Sequence, residues 1–247
     1  NSYGQNNLGV MYEFGNGVKQ DGKKALEWYT KAAEQGNAGS QRRLGMVFLQ
    51  GILEAKQDDK KAFEWYTKAA EQGDGYAMNE MGRISLYGWG VDKNDELAFA
   101  WYLKSSQKGF HWGQSNLAWA YRYGRGVKED KKKALEWYTQ AADQNNTSAM
   151  SSLGYMYRKG DGVEKDGNKA LEWYTKAADL NYASAMNSLG YMYRDGDGVE
   201  QDVNKAVEWF SKAADLNYAS AMSRLGYMYL NGDGVEKDRK KAEYWYE

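Results

Sequence analysis

The stretch that decides the fold reads Ala170-Leu171-Glu172-Trp173-Tyr174-Thr175-Lys176-Ala177-Ala178, and the chain contains seven versions of it. Its tryptophan recurs at Trp28, Trp65, Trp101, Trp137, Trp173, Trp209 and Trp245, with one interval of 37 residues and five of 36. A fixed period of roughly 20–50 residues is the signature of an array of stacked repeats. The sequence therefore predicts seven copies of one structural unit.

Each copy predicts two helices. In the copy that starts at Thr147, apolar residues around Leu153 recur at helical spacing until a glycine, Gly160, stops the helix. The same stop occurs at Gly15, Gly51, Gly88, Gly124, Gly160, Gly196 and Gly232. A capping Asp or Asn seven residues before each tryptophan starts the second helix, at Asp21, Asp58, Asn94, Asp130, Asp166, Asp202 and Asp238. It is predicted to end at a residue that tolerates positive φ, namely Gly36, Gly73, Gly109, Asn145, Asn181 and Asn217.

The second helix combines alanines with one large aromatic residue. Ala170 and Ala177 are small enough to allow close helix packing, and Trp173 is expected to supply most of the buried area. On this expectation, replacing a central tryptophan by alanine would cost about 3–5 kcal/mol.

The repeated positions also carry a family resemblance. In the fifth copy the recurring positions are Ala149, Leu153-Gly154, Tyr157, Gly160, Gly162-Val163, Asp166, Lys169-Ala170, Trp173-Tyr174 and Lys176-Ala177-Ala178. It resembles the Sel-one-like repeat (SLR), a longer relative of the tetratricopeptide repeat, over essentially the whole chain. The resemblance implies an all-α fold, a right-handed superhelical α-solenoid of about seven helix-turn-helix repeats, with the first helices on the concave side. It also implies an adaptor that holds other proteins, often in bacterial secretion, signalling or host contact.

One solenoid is predicted over residues 1–247, because no linker interrupts the series. The repeats fall at approximately 1–36, 37–73, 74–109, 110–145, 146–181, 182–217 and 218–247, with the last one truncated. Repeat two has one extra residue between Gly51 and Asp58. The chain starts at Asn1 and stops at Glu247 inside a repeated helix, so both ends look cut from a longer protein. The cellular compartment is therefore not predicted.

The composition argues against most kinds of chemical site. There is no cysteine, and His111 is the single histidine, so thiolate metal sites and sites built on several histidines are excluded. The acidic loop Asp161–Asp166 lacks the alternating ligand order of a calcium-binding loop. A net charge of −1 does not favour nucleic acid, and no apolar run is long enough for membrane insertion. No cofactor and no catalytic residue are predicted.

A possible binding surface lies on the first helices, opposite their core side. One column of equivalent positions reads Val10, Met46, Arg83, Trp119, Tyr155, Tyr191 and Tyr227, and a second reads Glu13, Leu49, Leu86, Arg122, Arg158, Arg194 and Leu230. Aromatic residues and arginine are enriched at interface hot spots. The predicted partner-binding residues are Trp119, Arg122, Tyr155, Arg158, Tyr191, Arg194 and Tyr227, and by the resemblance this face is concave. The alternative is that the tyrosines stack on neighbouring first helices and the arginines pair with nearby Glu or Asp. In the first three copies these columns contain the apolar residues Val10, Met46, Leu49 and Leu86, so this end of the surface is predicted to be more apolar.

The predicted function is a non-enzymatic scaffold for a protein or peptide partner that presents acidic groups to Arg122, Arg158 and Arg194. A toxin-neutralising protein of the immunity type is a related alternative. A carbohydrate-binding module is another, since tyrosine and tryptophan can stack on sugar rings, but no cluster of Asp, Asn and Gln is evident on the same face. An enzyme is least favoured: cysteine-rich relatives have been linked to β-lactam hydrolysis, and this chain has neither their cysteines nor an evident nucleophile–base pair.

Overall fold

The computed structural model describes residues 1–247 and contains fourteen α-helices and no β-strand. Odd-numbered helices are the first helices of the repeats and even-numbered helices are the second. They are α1 (Ser2–Phe14), α2 (Gly22–Glu34), α3 (Ala38–Gln50), α4 (Asp59–Glu71), α5 (Gly75–Tyr87), α6 (Asp95–Gln107), α7 (His111–Tyr123), α8 (Lys131–Ala142), α9 (Thr147–Lys159), α10 (Gly167–Asp179), α11 (Ala183–Asp195), α12 (Val203–Asp215), α13 (Ala219–Asn231) and α14 (Arg239–Tyr246). The predicted all-α solenoid of helix-turn-helix repeats is confirmed.

The predicted caps set the bounds of the second helices. The Asp166 side chain accepts a hydrogen bond from the Lys169 backbone N–H at 3.0 Å, so it supplies one of the partners that the first turn of α10 lacks. At the other end α10 stops at Asp179, and Asn181 adopts a positive φ of 59°. The helix thus ends two residues before the asparagine that was predicted to end it, while the predicted left-handed conformation is present.

The first helices end at the predicted glycines. Gly160 has φ 69° and its N–H donates to the carbonyl of Met156, which closes α9. In the second repeat the extra residue changes the loop: Leu53 and Glu54 adopt positive φ values of 53° and 63°, where the other inter-helix loops use glycine. The longer spacing is therefore absorbed in the loop, outside both helices.

In six of the seven repeats, the two helices meet where a glycine of the first helix lies against an aromatic ring of the second. A Cβ added at Gly154 would lie 2.8 Å from the Tyr174 ring, so only glycine allows this approach. Leu153 and Met156 are fully buried beside it. The same pairing occurs at Gly9–Tyr29, Gly45–Tyr66, Gly82–Tyr102, Gly190–Phe210 and Gly226–Tyr246.

The tryptophans are less buried than expected. Tyr174 is 2% exposed, whereas the preceding Trp173 is only half-buried. Trp173 lies about 100° round the helix from Tyr174, and Lys176 covers its ring with Nζ 4.5 Å from the ring centre. In the second and third repeats, Trp65 and Trp101 pack at the edge of a core that includes the preceding repeat. Tyr174, and not Trp173, is therefore the aromatic residue of α10 that faces the first helix and is fully buried there.

The helices form two compact units, residues 1–129 and residues 130–247. The single solenoid over residues 1–247 stays a prediction. In the second unit, neighbouring repeats also touch through their loops, where Gly198, with φ 85°, lies against Gly167 at the start of α10. None of the helices is both long and apolar enough to span a membrane.

Candidate functional site

The tyrosines predicted to bind a partner lie on one side of the first helices of the second unit. Gly154 faces Tyr174 of the second helix, and Tyr155 lies about 100° further round α9. The equivalent Tyr191 contacts the second helix of its own repeat, where its ring meets Phe210 edge to face with centres 5.1 Å apart. Tyr155 and Tyr227 are 43% and 48% exposed, and Tyr191 is half-buried between neighbouring side chains. We call the side of the first helices that carries these residues and their equivalents in other repeats the first-helix face.

Arg158 is held by the loop of the next repeat. Its Nε donates to Asp197 at 2.8 Å, and Lys165 Nζ donates to the same carboxylate at 3.0 Å. Asp197 lies in the loop after α11, so the ion pair links two consecutive repeats of the second unit. Here the structure matches the alternative in which the predicted arginines pair with nearby acids.

The Asp197 carboxyl group should make stability depend on pH. The hydrogen bond from Arg158 and the one from Lys165 lower its pKa. Because the folded pKa is below the unfolded value of about 3.9, the carboxylate stabilises the fold above that pH, and the stabilisation is lost as the pH falls through the folded pKa. We expect Asp197→Asn to remove this part of the pH dependence, measured by urea unfolding between neutral and acidic pH.

The control for this prediction is Asp215→Asn, at an exposed position at the end of α12. It removes one carboxylate that has no ion-pair partner and leaves the ion pairs of Asp197 in place, so this variant should still lose stability as the pH falls. Equal pH profiles for the native protein and Asp197→Asn would contradict the prediction.

Arg194 is also paired, but within its own helix end. Its Nε and Nη2 donate to the two carboxylate oxygens of Asp195 at 2.6 and 2.9 Å. Its guanidinium lies 4.7 Å from the centre of the Tyr191 ring. Arg194 therefore lies on the first-helix face with its charge already compensated by Asp195.

Sequence reasoning missed Arg224, which lies beside the same ring. Its guanidinium is 5.2 Å from the Tyr191 ring centre and 5.5 Å from that of Tyr227, and its Nη2 is 3.4 Å from the Tyr191 hydroxyl. No carboxylate pairs with Arg224. The available signal was that arginine stands where the two preceding repeats have serine, at Ser152 and Ser188. Two guanidinium groups thus flank one tyrosine, and only one of them has an acidic partner.

The two predicted site residues of the first unit, Trp119 and Arg122, are less exposed than Tyr155 and Tyr227. Trp119 is half-buried, with its ring centre 5.8 Å from that of Tyr123 and the Arg125 guanidinium 6.0 Å away. Arg122 is only 7% exposed, and its guanidinium lies 5.0 Å from the Tyr123 ring centre. The guanidinium of Arg122 is therefore largely enclosed, whereas the column it was assigned to was expected to be exposed.

A cavity of about 480 Å³ opens on the first-helix face of the first unit, between α5 and α7. Four polar side chains form a connected network in it. Glu80, which is 4% exposed, accepts from Arg83 Nη1 at 2.9 Å and from Asn79 Nδ2 at 3.1 Å. Asn116 Nδ2 donates to Asn79 Oδ1 at 2.8 Å. The carboxylate and the guanidinium neutralise each other inside the cavity.

Aromatic side chains make up much of the remaining wall of this cavity: Tyr76, Tyr87, Tyr102, Phe110, Trp112 and Trp119. Trp112 and Tyr87 are exposed at the surface, and the Tyr76 and Phe110 rings meet edge to face with centres 5.8 Å apart. Of the cavity residues, only Trp119 was predicted as a site residue. The signal that could have found the others is their departure from the repeat: Trp112 stands where later copies have Ser148, Ser184 and Ser220.

The first two repeats carry a buried ion pair on this face beside their apolar residues, and the more apolar end expected for the first three repeats stays a prediction. Val10 and Met46 are half-buried on this face, but Glu13 is buried next to them and forms an ion pair with Arg43. The Tyr29 hydroxyl donates to Glu13 at 2.7 Å. A buried carboxylate is stable there because a cation and a hydroxyl both satisfy it.

His111 begins α7 and packs between Phe110 and Trp112, with ring centres 5.4 Å from each. Burial lowers its pKa. No group of three or more His, Cys, Asp or Glu side chains is arranged to hold a metal ion.

Comparison with known proteins adds to this geometry. The family model described as "Sel1 repeat" matches residues 2–37, 38–74, 75–110, 113–146, 147–182, 183–218 and 219–247. These seven matches follow the predicted repeats with a shift of one residue at most boundaries. No curated protein matches the chain.

Solved structures show the same architecture. A Sel1 repeat protein from Oxalobacter formigenes is 30% identical, with 99% of this chain and 97% of that one covered and a TM-score of 0.87. The protein c5321, a protective antigen of uropathogenic Escherichia coli with an SLR fold, is 33% identical with a TM-score of 0.75. The match covers 99% of this chain but only 60% of c5321. The immunity protein Pa5087 from Pseudomonas aeruginosa is 21% identical over 85% of this chain and 79% of its own, with a TM-score of 0.59, which shows a shared fold.

Proposed function

The chain belongs to the Sel1 repeat family, whose members are commonly protein-interaction scaffolds, and on that premise we propose that it is a non-enzymatic scaffold for a protein or peptide partner. The proposed binding surface is the first-helix face of the second unit, formed by Tyr155, Tyr191, Tyr227 and Arg224. The proposed partner presents a carboxylate to this surface.

The observation that carries the proposal is the unpaired Arg224 between two tyrosines. An arginine that stacks on aromatic rings keeps its N–H groups directed sideways, where a carboxylate can accept two of them. Tyr227 is close to half exposed beside it, and burying a tyrosine ring on binding removes a large apolar area from water. Arginine and tyrosine are also, with tryptophan, the residue types enriched at interface hot spots.

Arg158 and Arg194 have a supporting part in this proposal. Their carboxylate partners, Asp197 and Asp195, already neutralise them, so an incoming acid gains less from these two cations than from Arg224. We propose that they fix the positions of the loop and of the Tyr191 ring. Arg122 is left out of the proposed contact surface because its side chain is buried.

The double change Arg224→Glu with Tyr227→Ala is expected to abolish partner capture. It reverses the charge of the one unpaired guanidinium and removes the exposed ring next to it, so a carboxylate would meet repulsion instead of two hydrogen bonds. The measurement is affinity capture from the source cell by the native chain and by the variant, with quantitative mass spectrometry of the retained proteins.

Arg239→Glu is the matched control. Arg239 is an exposed arginine of the same repeat, on α14, and pairs only with Glu243 one turn away. A partner retained by the native chain and by Arg239→Glu, and lost from the double variant, supports the proposed surface. Equal retention by all three proteins would refute it, provided that circular dichroism shows the same helix content in each.

The identity of the captured partner also separates two forms of the scaffold function. Two immunity proteins from Pseudomonas aeruginosa share the fold, but at 20–21% identity this likeness concerns the fold alone. A secreted toxin among the specifically retained proteins would assign an immunity-type role, and any other partner would assign an adaptor role.

A further inference from the structure

The cavity between α5 and α7 differs in chemistry from the proposed partner surface. Its volume of about 480 Å³ lies within the range of roughly 300–1,000 Å³ that is typical of small-ligand sites. It combines a polar network, in which Glu80 and Asn79 are buried and Arg83 and Asn116 are half-buried, with exposed aromatic rings, all within the first unit. We propose that this cavity binds a neutral saccharide.

The charges of the cavity favour a neutral ligand. Glu80 and Arg83 are 2.9 Å apart and compensate each other, so an ionic ligand would have to break this pair to find its own counter-ion. A purely apolar ligand fits no better. It would exclude water from the carboxylate, the guanidinium and both amides without replacing the hydrogen bonds that water provides.

Both donors and acceptors are available in the network. The amides of Asn79 and Asn116 each carry a carbonyl oxygen and an NH₂ group, Glu80 only accepts, and Arg83 only donates. A sugar hydroxyl donates one hydrogen bond and accepts others, so neighbouring hydroxyls can satisfy such a mixed set of partners. The network thus supplies the cluster of orienting polar groups that was not evident in the sequence.

The aromatic rings of the cavity suit the apolar C–H faces of a sugar ring. A pyranose has faces made of C–H groups, which lose little when they leave water and pack well on a flat ring. Trp112, 43% exposed, stands at the cavity with Tyr87 and Trp119. An indole at the mouth and planar polar side chains inside therefore complement the two sides of one saccharide ring.

The residues that build this site are departures from the repeat. Trp112 and Asn116 stand where the fifth and sixth repeats have serine, at Ser148 and Ser184 and at Ser152 and Ser188. With serine at both positions, each of those repeats still forms a helix pair with its glycine–aromatic contact, Gly154–Tyr174 or Gly190–Phe210. The helix pair therefore forms without Trp112 and Asn116, which leaves their side chains available for a ligand.

The test is an array of immobilised neutral and anionic oligosaccharides probed with the labelled full chain. The neutral oligosaccharide with the strongest signal is then titrated calorimetrically. Trp112→Ser and Asn116→Ser, which install the residue of the later repeats, are each expected to weaken binding by about tenfold or more, through loss of ring contact and of hydrogen bonds respectively.

Variants of the second unit separate this proposal from the proposed scaffold function. Tyr155→Ala, and the double change Arg224→Glu with Tyr227→Ala, should leave saccharide affinity unchanged. The saccharide proposal is overturned if no neutral oligosaccharide binds, if only anionic ones bind, or if binding survives both serine variants. It is equally overturned if a peptide of the captured partner occupies the cavity and is released by Trp112→Ser.

Discussion

Replacement of Tyr174 by alanine is expected to lower the free energy of unfolding by about 3–5 kcal/mol, as for other fully buried aromatic side chains. The ring lies against Gly154, whose missing side chain leaves the space that the ring fills, so alanine would open a cavity that neither helix can close. Urea unfolding of the full chain, followed by circular dichroism, measures the change. In repeat proteins the loss can appear as early unfolding of one segment, and amide hydrogen exchange in α9 and α10 would locate it.

Two further variants test whether Tyr174, and not Trp173, is the principal core residue of α10. Tyr174→Phe should cost much less than the alanine change, because phenylalanine occupies the equivalent position in the next repeat as Phe210. Trp173→Ala should also cost less, since the indole is half-buried and one face is covered by Lys176. A larger loss for Trp173→Ala than for Tyr174→Ala would show that the indole is the principal core residue after all.

Gly198→Ala is expected to destabilise the second unit by about 2–4 kcal/mol, from two independent effects. The backbone at this residue has φ 85°, which a side chain disfavours, and the new Cβ would lie 2.5 Å from the Cα of Gly167. That neighbour is backbone at the start of α10, so it cannot rotate away as a side chain could. The loop contact between consecutive repeats would have to open.

Gly160→Ala tests the effect of the positive φ alone. Gly160 has a similar φ of 69°, but its nearest neighbours would be in ordinary contact with a Cβ, at 3.5 Å. It should therefore cost only the conformational penalty of about 1–2 kcal/mol. Equal destabilisation by the two alanine variants, measured by urea unfolding, would mean that the close approach of Gly198 and Gly167 contributes nothing.

The elements of the fold that could be predicted are those that depend on local chemistry. The Asp166 cap and the left-handed Gly160 and Asn181 act through their own backbone neighbours, so a repeated residue type at a fixed offset is enough to identify them. Because the chain repeats, a residue of the required kind occurs six or seven times at each of these offsets, which makes the pattern easy to recognise. For these reasons the helices, their order and their approximate ends could be read from the sequence.

The choice between Trp173 and Tyr174 could not be made in the same way. Both residues lie on the apolar arc of α10, and residue size favours tryptophan as the core residue. What decides is the position of Gly154 on the opposite helix, because the glycine receives the ring that faces it. Periodicity within one helix does not contain this information.

The candidate site was predicted in part, for a related reason. The tyrosine positions were found because exposure follows from helix geometry. The acidic partner of Arg158 lies on the loop of another repeat, at Asp197, and a column of arginines looks the same whether or not such partners exist. Arg224 and the cavity around Glu80 were missed because a reading of the repeat emphasises shared positions, and these residues are the exceptions to it.

The near identity of α9 and α11, which read TSAMSSLGYMYRK and ASAMNSLGYMYRD, has a genetic consequence. Coding stretches this alike can recombine out of register, and each event inserts or removes whole 36-residue modules. A module brings its own helix caps and its own glycine–ring contact, so lengthened and shortened descendants would still fold. Evolution can thus change the number of tyrosines on the first-helix face in single steps, without a new kind of helix.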